Sequence, residues 1–197
     1  MTSLKWVRYA PSTPWERRIV RHAFQTTQRN RTVSQRLIRL IWEELQRKPR
    51  QIAFAESCTA GAVAAALGKL PGISEYLCGS MVTYQESTKQ EWLGVRATTL
   101  KKHTAVSSPV AIEMARGLLR RTPQADWGLA ITGHLGPNAP EALDGRVYVA
   151  AARRRGKSRV ELVAAECYHL SERTRLRRRT EAVAIVLDLL LELLANE

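Results

Sequence analysis

Cysteine is scarce in this chain and shows no pairing pattern. Cys58, Cys78 and Cys167 are an odd set without a CxxC spacing, which speaks against a disulfide framework and against a structural zinc site. No cluster of His and carboxylates has ligand spacing either, so no metal site and no cofactor are expected. Acidic residues are few: 18 Asp+Glu face 31 Lys+Arg, for a formal net charge of +13. That balance favours anionic partners such as phosphates, nucleic acid or acidic proteins, without choosing among them. Long apolar runs are missing. The most apolar stretch, AVAIVLDLLLELLA at 182–195, is too short to span a bilayer and carries Asp188 and Glu192. The first residues lack the apolar core of a secretory signal. These absences give the reading of a soluble cytoplasmic protein with no membrane partner.

What is present suits one domain with a packed core, since 45% of the 197 residues are hydrophobic. Residues 1–31 read as a basic extension, with seven Lys/Arg against Glu16 alone. Within them TPWERRIVRHAF could form a short helix, Thr13 as N-cap and Pro14 at its first position. Residues 32–197 read as the folded domain. VSQRLIRLIWEELQRK places Leu37, Ile41 and Leu45 on one helical face. QIAFA, GSMVTY and WGLAIT read as strands. An Ala-rich helix is expected over 59–69, closed by Pro71-Gly72. The segment QESTKQEWLG reads as polar and irregular. Ser107 or Ser108 caps PVAIEMARGLLRR. GRVYVAAA and SRVELVAAECYHL suggest a hairpin over a basic turn, and Ser171 is expected to open a long last helix. Strands alternating with helices, with adjacent strands near the end, imply a layered α/β fold with a mixed, mostly parallel sheet.

The stretch AFAESCTAGAVAAAL, residues 53–67, runs from a strand directly into a helix. Ser57 therefore sits at the carboxyl end of a strand, where ligands gather in open α/β sheets, beside the free N–H groups of a helix start. Two readings stand: Ser57 or Thr59 caps the helix, or Ser57 is a nucleophile. Cys58 is a rival nucleophile, since a helix N-terminus lowers a thiol pKa. In TYQESTK, Lys89 could serve a serine as general base if burial lowers its pKa. The loop AITGHLGP offers Gly133 and Gly136 for close approach of backbone to a ligand, and the plainer reading of each is an ordinary turn.

These pieces occur in one order: AESCTAG, PGISEYLCGSMVTYQESTKQEWLGV, LKKHTAVS, ADWGLAITGHLGP and GRVYVA. As an ordered set they resemble the CinA C-terminal family, the nicotinamide-nucleotide amidohydrolases, over about residues 33–195. The resemblance implies a three-layer α/β/α sandwich, hydrolysis of nicotinamide mononucleotide to nicotinic acid mononucleotide and ammonia, and a homodimer. It implies Ser57 as nucleophile, with Lys89 as base and Tyr84 orienting it or relaying the proton. Cys58, Thr59, Gly61, Gly79, Thr132, Gly133, Gly136 and Arg173 would bind substrate. The phosphate would rest on the Thr132–Gly136 loop or on arginines such as Arg173; Arg177 also matches loosely. Several family glycines are replaced, by Ala60, Ser80 and Thr104, and the loop HLGPNAP is bulkier than the family's. The alternative is a binding module that keeps the scaffold without hydrolysis. Its basic surface, the N-terminal extension above all, would contact nucleic acid or a protein partner.

Overall fold

The computed structural model describes residues 33–156 and 159–197. The basic extension and the helix expected at Thr13 lie outside them. The element order is α1 Gln35–Arg47, β1 Ile52–Glu56, α2 Ala62–Leu67, β2 Leu77–Val82, α3 Glu86–Leu93, α4 Ala97–His103, α5 Ser108–Arg121, β3 Trp127–Gly133, β4 Arg146–Arg155, β5 Arg159–His169 and α6 Arg175–Ala195.

The five strands form one sheet in the order β2-β1-β3-β4-β5. Strand β1 is parallel to both β2 and β3, and β3-β4-β5 is an antiparallel run. The sheet is mixed with a parallel core, as the alternation of elements implied.

Alternation of side chains along the strands makes the two outer layers. Ile52, Phe54, Leu129, Ile131, Val147 and Val149 point to one side, where α1, α2 and α6 cover them. The other side is built from small residues: Ala53, Ala55, Ala130, Ala150 and Ala152 lie under α3, α4 and α5. Small residues let α5 ride close to the sheet. A Cβ on Gly128 would lie 2.8 Å from Leu119 Cγ, so only glycine fits below that helix. The approach of α5 to α3 is tighter still, because a Cβ on Gly117 would lie 1.8 Å from the main-chain oxygen of Leu93.

Three local expectations are corrected. The Ala-rich helix begins at Ala62, because Ala60 (φ 53°) and Gly61 (φ 88°) are left-handed and break the helix before it. The segment around QESTKQEWLG is helix α3, whose inward residues are Lys89 and Leu93. A helix with a buried lysine on its inner face shows little apolar periodicity, so its pattern is hard to read. The last helix starts at Arg175, with the Thr174 hydroxyl accepting from the Arg177 N–H. Ser171 lies before it, its hydroxyl and N–H both donating to the buried Glu181 carboxylate. In α5, Ser107 takes the cap position, but its hydroxyl donates to the Thr104 carbonyl (3.0 Å) and leaves the helix N–H groups alone.

Two substitutions of opposite sign test this backbone. Thr104 is held at φ 62° and ψ 167°, a region that suits glycine and strains a β-branched residue. Thr104→Gly should raise the unfolding free energy by about 1 kcal/mol. Gly117→Ala should lower it by about 3 kcal/mol or more, since backbone must move to admit the methyl group. Urea denaturation of both variants checks the signs.

Candidate active site

The site is assembled at the carboxyl ends of β1 and β2. Glu56 ends β1 fully buried. Its carboxylate accepts from Thr59 Oγ1 (2.7 Å), the Val63 and Ala64 N–H groups (3.1 Å each) and Ser80 Oγ (2.9 Å). Glu56 thus does the work of a cap for α2, with an anion at the positive end of that helix, and ties it to β2. Neither Ser57 nor Thr59 is the cap. The alternative left open by the sequence closes here: the Ser57 side chain is free for another task.

That task involves Lys89. Its Nζ lies 2.9 Å from Ser57 Oγ, 2.6 Å from the Thr83 carbonyl and 3.2 Å from the Tyr84 carbonyl. Lys89 is 1% exposed and Ser57 8%. No carboxylate pairs with the amine among the described residues' ion pairs. Burial pushes the lysine down from 10.5 to about 8. The contact set serves both charge states. As an ammonium the group donates to all three oxygens. As an amine it donates to the two carbonyls and its lone pair accepts the Ser57 hydroxyl hydrogen, which is the arrangement of a base on a nucleophile.

Cys58 takes no such part. It is buried in the α1/α2/α6 core, and burial pushes its thiol up to about 12. A neutral thiol is neither a nucleophile nor an anion that would hold the proton on Lys89.

The other expected residues divide. Tyr84 contacts Lys89 through its main-chain carbonyl and not through its phenol. The side chain is 53% exposed and its Oη accepts from Arg175 Nη2 at 2.7 Å. Thr132 is buried with its hydroxyl donating to the Ala105 carbonyl (2.8 Å), a tie from β3 to the segment between α4 and α5. Gly133 is demanded by packing, since a Cβ there would lie 2.5 Å from Val147 Cγ1. Thr59 is committed to Glu56, Gly61 precedes α2 in a left-handed turn, and a Cβ on Gly79 would meet nothing within 4 Å. Gly136 (φ 65°) and Arg173 line a separate cleft of about 400 Å³, together with Asp144, Arg175 and Arg178. Arg177 lies outside that lining, 3.9 Å from Glu172.

Glu56, Thr83, Asp144, Arg175 and Arg178 were missed as contributors. Glu56 had a readable signal, an acid at a strand end just before a helix. The arginines had none, because five of them crowd 173–179 and only packing distinguishes them.

Residues 34–194 match the model of the CinA C-terminal domain. The chain belongs to the CinA C-terminal domain family. A CinA-like protein of Anaeromyxobacter is 40% identical over 148 residues, covering 74% of this chain and 35% of its own length. A CinA-like protein of Synechococcus is 42% identical over 127 residues, 64% of this chain and 29% of its own. The chain thus spans about a third or less of these CinA relatives. Among solved structures, the competence/damage inducible protein CihA from Agrobacterium tumefaciens aligns with TM-score 0.73 at 31% identity, over 82% of this chain and 94% of that one. A CinA superfamily protein from Escherichia coli aligns with TM-score 0.74 at 28% identity, over 87% and 95%. Among the described residues of this CinA domain, no helix is long and apolar enough to cross a membrane. No group of three or more His, Cys, Asp or Glu among them is placed to hold a metal ion.

The carboxylate of Glu56 gives the test of this site. Glu56→Gln turns one acceptor oxygen into a donor facing other donors. It should cost about 1–3 kcal/mol in urea denaturation. In the native wild type, iodoacetamide followed by peptide mass mapping should leave Cys58 unmodified at pH 8.

Proposed function

We propose that this domain is a serine–lysine amidase that converts nicotinamide mononucleotide to nicotinic acid mononucleotide and ammonia. The observation that carries the reading is the buried Lys89 amine 2.9 Å from Ser57 Oγ. In this reading neutral Lys89 takes the Ser57 proton as Oγ attacks the carboxamide carbon. The C–N bond breaks as the lysine returns its proton to the leaving nitrogen, and ammonia departs. Lys89 then takes a proton from water as the water oxygen attacks the ester carbon, and returns it to Ser57 Oγ as the C–O bond to the serine breaks. The N–H groups of Cys58 and Thr59 have no main-chain acceptor among the described residues and are the oxyanion donors of this scheme.

A scaffold used only for binding has no need of this arrangement. A buried amine without a counter-ion costs stability, and such a cost is ordinarily met where chemistry uses it. Nucleic-acid binding by residues 1–31 and a homodimer are separate proposals, open to a salt titration of DNA binding and to sedimentation.

Ammonia release from nicotinamide mononucleotide by the pure protein tests the activity. Ser57→Ala and Lys89→Arg should each lower kcat by at least about 10³-fold, because the guanidinium stays protonated. A Lys89→Arg enzyme with most of its activity would make Lys89 a charge and not a base. In wild type, kcat/KM should rise with pH through an ionisation near 8 and level above it.

The same amine predicts a pH-dependent stability. Its folded pKa of about 8 lies below the unfolded 10.5, so between these values the unfolded state binds more protons. The penalty is full below pH 8 and fades as pH rises to 10.5. At about 1.4 kcal/mol per unit, wild type should gain about 3 kcal/mol relative to Lys89→Met across that window. Paired denaturation curves at pH 7 and 10.5 measure it, and parallel behaviour would mean that the amine is solvated.

A further inference from the structure

One row of side chains crosses the sheet at the nucleophile. Strand β1 turns Ala53 and Ala55 toward α3, α4 and α5, and the alternation puts the Ser57 side chain on the same side. On β2, Met81 faces that side beside Ala55, and Thr83 follows two residues later. The parallel pairing continues past the strand end, with the Thr83 N–H donating to the Glu56 carbonyl at 2.8 Å. Thr83 is therefore the neighbour of Ser57 on one flank, and Thr132 of β3 is its neighbour on the other. Adjacent strands lie about 4.8 Å apart, so both threonines flank whatever is bound at Ser57. Their hydroxyls differ. Thr132 donates to the Ala105 carbonyl. The Thr83 hydroxyl is fully buried and has no hydrogen-bond partner among the described residues. Glu197 Oε1 shares that description, but it has Arg153 as an ion-pair partner. A buried hydroxyl left alone costs stability, because the water that served it in the unfolded chain is not replaced. Beside a nucleophile, such a cost marks a group kept free for what binds there.

We propose that the Thr83 hydroxyl binds the nitrogen of the reacting carboxamide and makes the site selective for amides. The inference rests on the amidase reading for the reaction, and it assigns the two ends of the reacting group. The oxyanion donors of that scheme, the Cys58 and Thr59 N–H groups, lead into α2 on one side of the sheet. Thr83 and Lys89 stand on the other side, where the Thr83 carbonyl accepts from the Lys89 amine at 2.6 Å. The nitrogen end thus meets one residue in two ways. Thr83 Oγ1 accepts one amide N–H, and the Thr83 carbonyl holds the proton carrier. When Ser57 Oγ bonds to the carbon, the nitrogen becomes pyramidal and its lone pair is freed. One N–H anchored on Thr83 turns that lone pair toward the Lys89 ammonium. The C–N bond then breaks, its electrons stay on nitrogen, and the lysine proton completes ammonia. An ester brings no N–H to this place, so the hydroxyl favours the amide.

The test uses the full chain with Thr83→Val, Thr83→Ser and Thr132→Val. Valine keeps the branched shape without the hydroxyl, so the urea midpoint of Thr83→Val should not fall below that of wild type. Thr132→Val strips a partnered hydroxyl and should lower the midpoint. With nicotinamide mononucleotide, Thr83→Val should lower kcat/KM for ammonia release at least about tenfold, the loss of one hydrogen bond made in the transition state. Thr83→Ser keeps a hydroxyl and should stay within about threefold of wild type. Methanol release from the methyl ester of nicotinic acid mononucleotide should change less than about threefold in Thr83→Val, so the amide-to-ester ratio falls. An equal loss on amide and ester overturns the proposal, and so does full amide turnover in Thr83→Val. A midpoint that drops in Thr83→Val as it does in Thr132→Val also overturns it, because the hydroxyl would then have a structural partner. Ammonia release from nicotinamide mononucleotide without Thr83 dependence discards this inference and keeps the amidase reading. Thr83-dependent ammonia release from nicotinamide riboside or nicotinamide, with none from the mononucleotide, keeps the role of the hydroxyl and discards the mononucleotide as substrate. No ammonia from any of the three overturns both.

Discussion

One buried amine, with no ion-pair partner among the described residues, governs the arrangement of the rest. Lys89 meets Ser57 Oγ at 2.9 Å from a helix whose end is packed closely on α5, where a Cβ on Gly117 would lie 1.8 Å from the Leu93 main-chain oxygen. To be neutral near pH 8 the amine must lose water, yet a buried amine must keep its hydrogen bonds. The chain end of β2 supplies both conditions. Its departing backbone turns the Thr83 and Tyr84 carbonyls onto the amine, and neither carbonyl carries a charge that would fix the proton. A carboxylate in their place would hold the ammonium form and remove the base.

The turn at Ser57 solves a related conflict. Helix α2 needs its first N–H groups satisfied, and Ser57 and Thr59 are the hydroxyls just before it. Glu56 resolves the competition from one residue upstream, taking the Val63 and Ala64 N–H groups and the Thr59 hydroxyl. The left-handed pair Ala60-Gly61 then reverses the chain sharply enough for the helix start to fold back over that carboxylate. Cys58 is directed into the core, where burial keeps its thiol neutral. Three consecutive residues thus have three environments: a capping acid, a hydroxyl held by the Lys89 amine and a buried neutral thiol.

The fold was legible wherever one physical rule acted alone. Strands with alternating large and small residues, such as Ile52–Glu56 and Trp127–Gly133, declared themselves, and so did α1 with its apolar stripe. Legibility failed where two demands met in one segment. Helix α3 buries a lysine on its inner face, so that face reads as polar. The last helix starts late because the buried Glu181 claims Ser171 and Glu172. In the site, Ser57 and Lys89 were visible through motif order, and their 32-residue separation was closed by the parallel pairing of β1 with β2. A sequence displays the Tyr84 side chain, whereas the contact with the Lys89 amine is made by the Tyr84 main-chain carbonyl.

The excess of positive charge illustrates how bulk composition misleads and where it informs. Many arginines in this domain are structural donors. Arg154 donates to the Leu119, Thr122 and Ala125 carbonyls at the C-terminal end of α5, where a cation also meets the negative end of the helix. Arg50 is held by Glu197, Arg96 by Glu113 and Arg178 by Asp144. Such guanidinium groups raise the net charge without offering a fresh site to an anion. What recognises a ligand is a cation whose donors remain free in a concave place. Arg173 meets that condition among the cleft arginines, and Arg175 meets it in part. The net charge of the chain therefore says that anions are attracted, and only the hydrogen-bond inventory says where one would be held.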